Sequence, residues 1–171
     1  MRILFLALAI FTVMHTQAQG TFDKAINDRN ELVFTGQFTF TDLQQEESFK
    51  WMTEGTDAYQ PNAEDISYLK NELNKYQLVV FMGTWCEDSH NLIPKLYKVL
   101  DAADFPARQL TLYGLDREKK GKGNVHEEYK VLYVPTIIVL SEGKEIGRIT
   151  ETVRKSVEAD LSAIIKDFAA E

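Results

Sequence analysis

The chain has 171 residues, 44% of them hydrophobic, which is typical of one compact domain and too small for two. Its formal net charge of −7 disfavours nucleic acid and anionic membrane surfaces as main partners. The sequence contains one cysteine, Cys86, which excludes a disulfide within one molecule.

Residues 1–18 are predicted to form a cleaved secretory signal peptide. Arg2 gives a short positive start, residues 3–14 are apolar apart from one threonine, and small residues follow at the positions that a signal peptidase requires. This run is shorter than the ~18–20 residues that span a bilayer, and no later run is long enough. We therefore expect a secreted or periplasmic protein that does not insert into the membrane after cleavage. A buried N-terminal helix is the alternative.

Residues 19–58 are predicted to form an N-terminal extension. Its polar start, up to about residue 30, indicates a loosely ordered or short helical segment. β-Branched and aromatic residues on both sides of Gly36 predict a hairpin or a short strand pair over 32–40. The alternation over 49–52 favours a strand, with continued helix as the alternative.

The signals become clearer in the second part of the chain. Asn62 is suited to cap a helix whose apolar residues recur at helical spacing. The continuous apolar run over 77–82 predicts a strand buried on both faces, as in a central sheet. The remaining predicted elements are a helix over 86–102 that contains Pro94, a strand over 110–113, a charged solvated loop over 116–123 (with a binding patch as the alternative), a short helix over 125–129, a hairpin of strands 136–140 and 145–149, and an amphipathic helix over 153–168. This order predicts an α/β fold with a mixed central sheet and helices on both faces.

Cys86 lies where the apolar strand turns directly into a helix. Unpaired backbone N–H groups and the positive end of the helix dipole favour the thiolate there, by roughly 0.3–1 kcal/mol. Glu87 and Asp88 oppose this effect, since each like charge is worth about 1 kcal/mol at ~4 Å in water. The two effects are similar in size, so the residues alone leave Cys86 inert, paired with another molecule, or chemically active.

Three features at matched spacings resemble thioredoxin. Trp85 and Cys86 follow an apolar strand, Pro94 stands eight residues past the cysteine, and a Val-Pro-Thr sequence at 134–136 opens the next-to-last strand. The resemblance implies a thioredoxin fold for residues 59–171, preceded by the N-terminal extension. The Gly-Thr-Trp-Cys-x-Asp-Ser sequence also looks like that of secreted bacterial thioredoxin-like proteins, which agrees with the predicted signal peptide.

The resemblance implies a role for each matching residue. Cys86 corresponds to the attacking cysteine, exposed at the helix N-terminus, and Trp85 to the tryptophan that shields it. Pro135 corresponds to the cis-proline that faces the active site. The backbone of Val134 would pair with an extended segment of the substrate. Trp85, Val134 and Pro135 are therefore the expected substrate-binding residues.

Three departures from the family pattern alter the expected chemistry. Ser89 stands where the family has its resolving cysteine, Glu87 and Asp88 replace the usual Gly-Pro, and Val80 replaces a buried aspartate. Reduction of a disulfide by two thiols is therefore excluded for this chain alone. A single thiol can still form mixed disulfides or isomerise them, and the Ser89 hydroxyl is expected to donate a hydrogen bond to the Cys86 thiolate.

Three functions are compatible with these residues. The first is single-thiol thiol–disulfide exchange, with Cys86 and Ser89 as catalytic residues, on exported proteins that bear thiols or disulfides. The second, from a different class, is a redox-inactive module that binds proteins through the same groove. The third is metal binding through Cys86 and His90, although no second Cys-His cluster exists to complete four ligands. No cofactor is expected.

Overall fold

A computed structural model describes residues 22–170 of the protein. The predicted signal peptide, 1–18, lies outside the described residues. The main helices and strands are β1 (Phe22–Ile26), β2 (Leu32–Phe38), α1 (Phe40–Gln44), α2 (Lys50–Ala58), α3 (Ala63–Glu72), β3 (Gln77–Met82), α4 (Glu87–Ala102), β4 (Leu110–Gly114), α5 (Val125–Glu128), β5 (Thr136–Ser141), β6 (Lys144–Thr150) and α6 (Val157–Ala169). Of the helices in this range, none is both long and apolar enough to cross a membrane.

The strands of the described chain form one mixed sheet in the order β1-β2-β4-β3-β5-β6. β3 and β4 run parallel, and every other neighbouring pair is antiparallel. β3 lies in the interior of the sheet, between β4 and β5, where its continuous apolar run is buried on both faces. The predicted α/β fold with a mixed central sheet is confirmed.

Alternate residues of β3 point to opposite faces of the sheet. Leu78, Val80 and Met82 belong to the larger core cluster, which also contains the buried faces of α2, α3, α4 and α6. Val79 and Phe81 belong to a smaller cluster on the other face, where α5 packs. Helices therefore cover both faces, as predicted, but very unequally.

The start of the N-terminal segment departs from its predicted structure. The stretch before residue 30 forms β1, which pairs with β2 across the turn at 27–31, and β2 runs straight through Gly36. Gly36 has a φ of 108°, yet it lies within a strand, opposite Gly114 of β4, where the two backbones come close. The predicted hairpin around Gly36 is therefore wrong, because β2 continues through this glycine, whose positive φ other residues rarely adopt, and the turn lies at 27–31.

Residues 49–52, where alternation favoured a strand, belong to a helical turn and to the start of α2. The buried residues of α2 are Met52 and Thr56, which are four positions apart, as on one face of a helix. Four residues are too few to separate a period of two from a period of 3.6. The strand prediction is wrong, and its helical alternative is confirmed.

The predicted elements of the second part of the chain are confirmed. The Asn62 side chain caps α3, α4 contains Pro94, and β5 and β6 form the predicted hairpin. The last helix begins at Val157 instead of residue 153, because the Ser156 hydroxyl caps its first turn. These elements are correct because helical periodicity, caps and a continuous apolar run are local signals.

The predicted N-terminal extension shares the sheet and the core of the rest of the chain. β2 pairs with β4, and Phe34 and Phe38 are buried in the larger core cluster. Removal of residues 22–58 would therefore expose a sheet edge and part of this core to water. The division of the chain at residue 59 stays a prediction.

Candidate functional site

The strand-to-helix turn at 83–86 places Cys86 at the start of α4. Cys86 directly precedes the helix, its backbone is extended (φ −99°, ψ 123°), and it is partly exposed. Its backbone N–H donates to the Gly83 carbonyl at 3.0 Å, and its carbonyl accepts from the His90 N–H at 3.0 Å. The thiol therefore lies at the positive end of a 16-residue helix.

The Cys86 thiol faces the segment that precedes β5. Its Sγ lies 3.3 Å from the carbonyl oxygen of Val134, to which it donates a weak hydrogen bond. The Val134–Pro135 peptide bond is cis, and both residues are buried. Within residues 22–170, the Val134 N–H has no hydrogen-bond acceptor. The fold thus brings Cys86 beside Val134 and Pro135, although 48 positions separate the thiol from the carbonyl it contacts.

Trp85 is fixed by contacts on its edge and on its faces. The indole Nε1–H donates to the Leu115 carbonyl at 2.8 Å. The ring lies against Gly83, where an added Cβ would come within 2.6 Å of the indole Cε2. The Arg117 guanidinium lies over the ring, 4.8 Å from its centroid. The Lys119 ammonium lies 5.8 Å from the same centroid, so the charged loop after β4, predicted to be solvated, contributes two side chains to the surroundings of Trp85.

Thr84 ties this turn to the N-terminal strand β2. The side chain is buried, and its hydroxyl donates to the Leu32 carbonyl at 2.9 Å and accepts from the Phe34 N–H at 3.1 Å. Both backbone groups lie beyond the stretch where β2 pairs with β4, so the hydroxyl satisfies groups that the sheet leaves unpaired. Sequence reasoning missed Thr84, because its partners lie 52 and 50 positions earlier in the chain.

Ser89 is fully buried in the first turn of α4. Its hydroxyl accepts a hydrogen bond from the Gly83 N–H at 3.2 Å, which closes the turn from the inside. In the part of the chain that the structure describes, no hydrogen bond joins Ser89 to Cys86. The expected bond to the thiolate stays a prediction for the ionised cysteine.

His90 is engaged away from the thiol. Its ring stacks on Trp51 with centroids 4.3 Å apart, and its Nε2 lies 2.7 Å from the Thr84 carbonyl oxygen. Because a carbonyl only accepts, Nε2 carries the proton in this contact and is not free to bind a metal. Residues 22–170 contain no group of three or more side chains placed to hold a metal ion. Among the described residues, the contacts of His90 do not favour the alternative of a Cys86–His90 metal site.

Two exposed apolar side chains precede the cis bond. Leu132 is 72% exposed and Tyr133 is 51% exposed, directly before Val134. The Thr136 hydroxyl donates to the Tyr133 carbonyl at 2.7 Å, which fixes the backbone of this segment. The pair therefore presents apolar side chains to solvent two and one positions before Val134. Sequence reasoning missed both residues, although an apolar run before the proline was the available signal.

Comparison with known proteins gives a family match over most of the chain. The family model described as Thioredoxin matches residues 63–167, and no curated protein matches. Mitochondrial thioredoxin 3 from Saccharomyces cerevisiae is 22% identical over 60% of this chain and 89% of its own, with a TM-score of 0.38. Thioredoxin O2 from Arabidopsis thaliana is 20% identical over 61% and 86%, with a TM-score of 0.39. A protein of unknown function from Pseudomonas aeruginosa is 16% identical over 71% and 78%, with a TM-score of 0.44.

Proposed function

Because this chain belongs to the thioredoxin family, we propose that it performs thiol–disulfide exchange through one thiol, that of Cys86. The observation that carries the proposal is the position of this thiol. It is partly exposed at the N-terminal end of α4 and lies 3.3 Å from the carbonyl that precedes the cis bond at Pro135. The thiolate is the nucleophilic form of cysteine, and a partly exposed thiol is accessible to a substrate disulfide.

The reaction is a direct exchange of sulfur partners. The Cys86 thiol loses its proton to solvent, and its Sγ attacks one sulfur of a substrate disulfide. A new S–S bond forms between Cys86 and that sulfur, the old S–S bond breaks, and the other substrate sulfur leaves as a thiolate that takes up a proton. One disulfide and one thiol are present both before and after the exchange, so no external oxidant or reductant is needed.

Release of the partner needs a thiol from elsewhere, because the Ser89 hydroxyl cannot attack a disulfide. A second thiol of the substrate, or a small thiol, attacks the substrate sulfur of the mixed disulfide and frees the Cys86 thiolate. The protein therefore acts as an isomerase when the substrate supplies this thiol. Where neither a substrate thiol nor a small thiol is present, it stays joined to its partner.

An extended segment of the partner would lie across Trp85 and the backbone of Val134. Within residues 22–170, the Val134 N–H has no hydrogen-bond acceptor, and the Cys86 thiol is the one donor to the Val134 carbonyl. Once the thiol has reacted, both groups are available to pair with a partner backbone, as in strand addition. The exposed apolar side chains of Leu132 and Tyr133 would add apolar contacts.

The proposed partners are exported proteins with thiols or disulfides, in the periplasm or outside the cell. The predicted signal peptide supports this placement, and disulfides persist in such compartments. A redox-inactive module that binds proteins through the same surface is the second candidate. The serine in place of a resolving thiol favours it, so the reactivity of Cys86 decides between the two.

Alkylation of the native protein tests this proposal. We expect iodoacetamide at neutral pH to modify Cys86 in the folded protein at least as fast as in the chain unfolded by urea, because the thiol is partly exposed at a helix N-terminus. Intact mass against time measures both rates, with Cys86→Ala as the blank. A native thiol that reacts far more slowly than the unfolded one would rule out exchange chemistry and leave the binding module.

A further inference from the structure

We infer that Arg117 and Glu31 are positioning residues for Trp85. The N-terminal hairpin of β1 and β2 therefore helps to position a residue of the candidate site. Arg117 lies in the loop after β4, and Glu31 lies in the turn between β1 and β2. The effect on exchange rests on the proposed function, whereas the positioning of Trp85 does not.

Arg117 covers one face of the Trp85 ring. Its guanidinium carbon lies 4.8 Å from the ring centroid, closer than the Lys119 ammonium at 5.8 Å. A planar guanidinium at this distance both stacks on the indole and is attracted to its π face. Together with the Nε1–H bond to the Leu115 carbonyl at 2.8 Å, this contact leaves the ring little freedom to turn.

Glu31 holds the guanidinium in place from the N-terminal hairpin. The Arg117 Nε donates to one carboxylate oxygen at 3.1 Å, and Nη2 donates to both oxygens, at 2.8 and 2.7 Å. Such a two-pronged pair fixes the plane of the guanidinium as well as its position. Arg117 and Glu31 are each about one-third exposed, so water competes only partly for these bonds.

Asn27 completes the support by fixing the carboxylate. Its side-chain Nδ2 donates to Glu31 at 2.7 Å, and its Oδ1 accepts from the Glu31 backbone N–H at 2.9 Å. Hydrogen bonds from Asn27 and then from Arg117 hold the pKa of Glu31 below its usual value, so the carboxylate stays ionised. A continuous chain of contacts therefore runs from Asn27 through Glu31 and Arg117 to Trp85, the neighbour of Cys86.

A second ion pair between the same loop and the same hairpin provides the matched control. Lys122 contacts Asp23 of β1 through one bond of 3.1 Å, and both side chains are more than half exposed. An exposed single-contact pair contributes little to stability. The Lys122 ammonium is not among the cations over the Trp85 ring in the described chain. Lys122→Ala thus removes a loop-to-hairpin ion pair without touching the ring.

The first experiment reads the position of Trp85 without any reaction. The chain has two tryptophans, so Trp51→Phe leaves Trp85 as the only indole and keeps a ring stacked on His90. In this background, Arg117→Ala should raise the acrylamide quenching constant of Trp85 about twofold, because one face of the ring is uncovered. Lys122→Ala should leave it unchanged. Equal quenching constants in both variants would overturn the inference.

The second experiment is a double-mutant cycle on mixed-disulfide formation, with a disulfide-linked peptide as the probe. Arg117→Ala should slow formation about fivefold in the wild-type background and have no further effect in a Trp85→Ala background, because the arginine acts through the ring. An equal loss in both backgrounds would contradict this. Altered quenching in a protein whose Cys86 forms no mixed disulfide would refute the proposed function and leave the positioning intact.

Glu31→Gln keeps the test decisive if Arg117→Ala fails to fold. The amide retains the size of the side chain and its contact with Asn27 but loses the charge that fixes the guanidinium. We expect a quenching constant between those of the parent and Arg117→Ala. A value equal to the parent would overturn the role of Glu31.

Discussion

Replacing Ser89 by cysteine is expected to turn a protein that keeps its mixed disulfide into one that releases its partner. Ser89 and Cys86 are three positions apart at the start of α4, as neighbours on one helix face. A thiol at position 89 could attack the mixed disulfide at Cys86, form an internal S–S bond and free the partner as a thiol. Partner release, absent in the parent, should become measurable as the free peptide thiol appears.

The Ser89→Cys variant should still release its partner slowly, because Val80 cannot accept the proton of the introduced thiol. Val80 is fully buried in β3, where the family resemblance implies an aspartate that handles the proton of the resolving thiol. Ser89→Ala is the matched control, since it also loses the hydrogen bond from the Gly83 N–H but adds no thiol. A folded Ser89→Cys variant that forms no disulfide between positions 86 and 89 would contradict the geometry on which the proposal rests.

Gly114→Ala is expected to destabilise the fold strongly. An added Cβ would run into the backbone carbonyl of Phe34 and come within 2.6 Å of the Phe38 ring. The strand β4 cannot move away, because Gly114 pairs with Gly36 of β2 on one side and with Met82 of β3 on the other. Overpacking against a backbone that cannot yield should lower the free energy of unfolding by about 3 kcal/mol.

Gly147→Ala is the control for this substitution. There the added Cβ meets only the side chain of Ile164, at 2.8 Å, and a side chain can change its rotamer. Both variants lose the same glycine flexibility of the unfolded chain, so their difference reports the clash alone. Urea unfolding should show a loss of about 1 kcal/mol for Gly147→Ala. Equal losses for the two variants would mean that β2 does not pack against Gly114 as described.

The parts of the fold that sequence reasoning identified depend on local signals. The continuous apolar run of β3 is sufficient to indicate an interior strand, and the Asn62 cap marks the start of α3. The position of Cys86 between that strand and a helix follows from the same patterns. The family resemblance then indicated its neighbours in space, which are distant in sequence.

The N-terminal strands were misjudged because their sequence lacks a burial pattern. β1 is an edge strand whose residues after Phe22 are all exposed, so no alternation of apolar and polar residues marks it. Gly36 has a positive φ, yet β2 continues through it and approaches Gly114 of β4. That approach depends on a strand more than seventy positions later, and no local pattern contains it.

The contacts that hold the site together were missed for the same reason. Thr84 bonds to β2 over 50 and 52 positions, and Arg117 bonds to Glu31 over 86 positions. In the sequence, Arg117 is one of several charges in a flexible-looking loop, and its neighbours Glu118 and Lys120 do form an exposed pair. Only the sheet topology separates the charge that supports Trp85 from those that face solvent.

The lifetime of a mixed disulfide at Cys86 tests the central claim most directly. A single-cysteine peptide, supplied as its disulfide-linked dimer, should transfer one peptide to the protein, with the other half leaving as a free thiol that gel filtration removes. Intact mass should then show an adduct of one peptide per chain that persists until a small thiol is added, and no adduct on Cys86→Ala. An adduct that never forms, or one that releases its peptide without added thiol, would contradict the single-thiol mechanism.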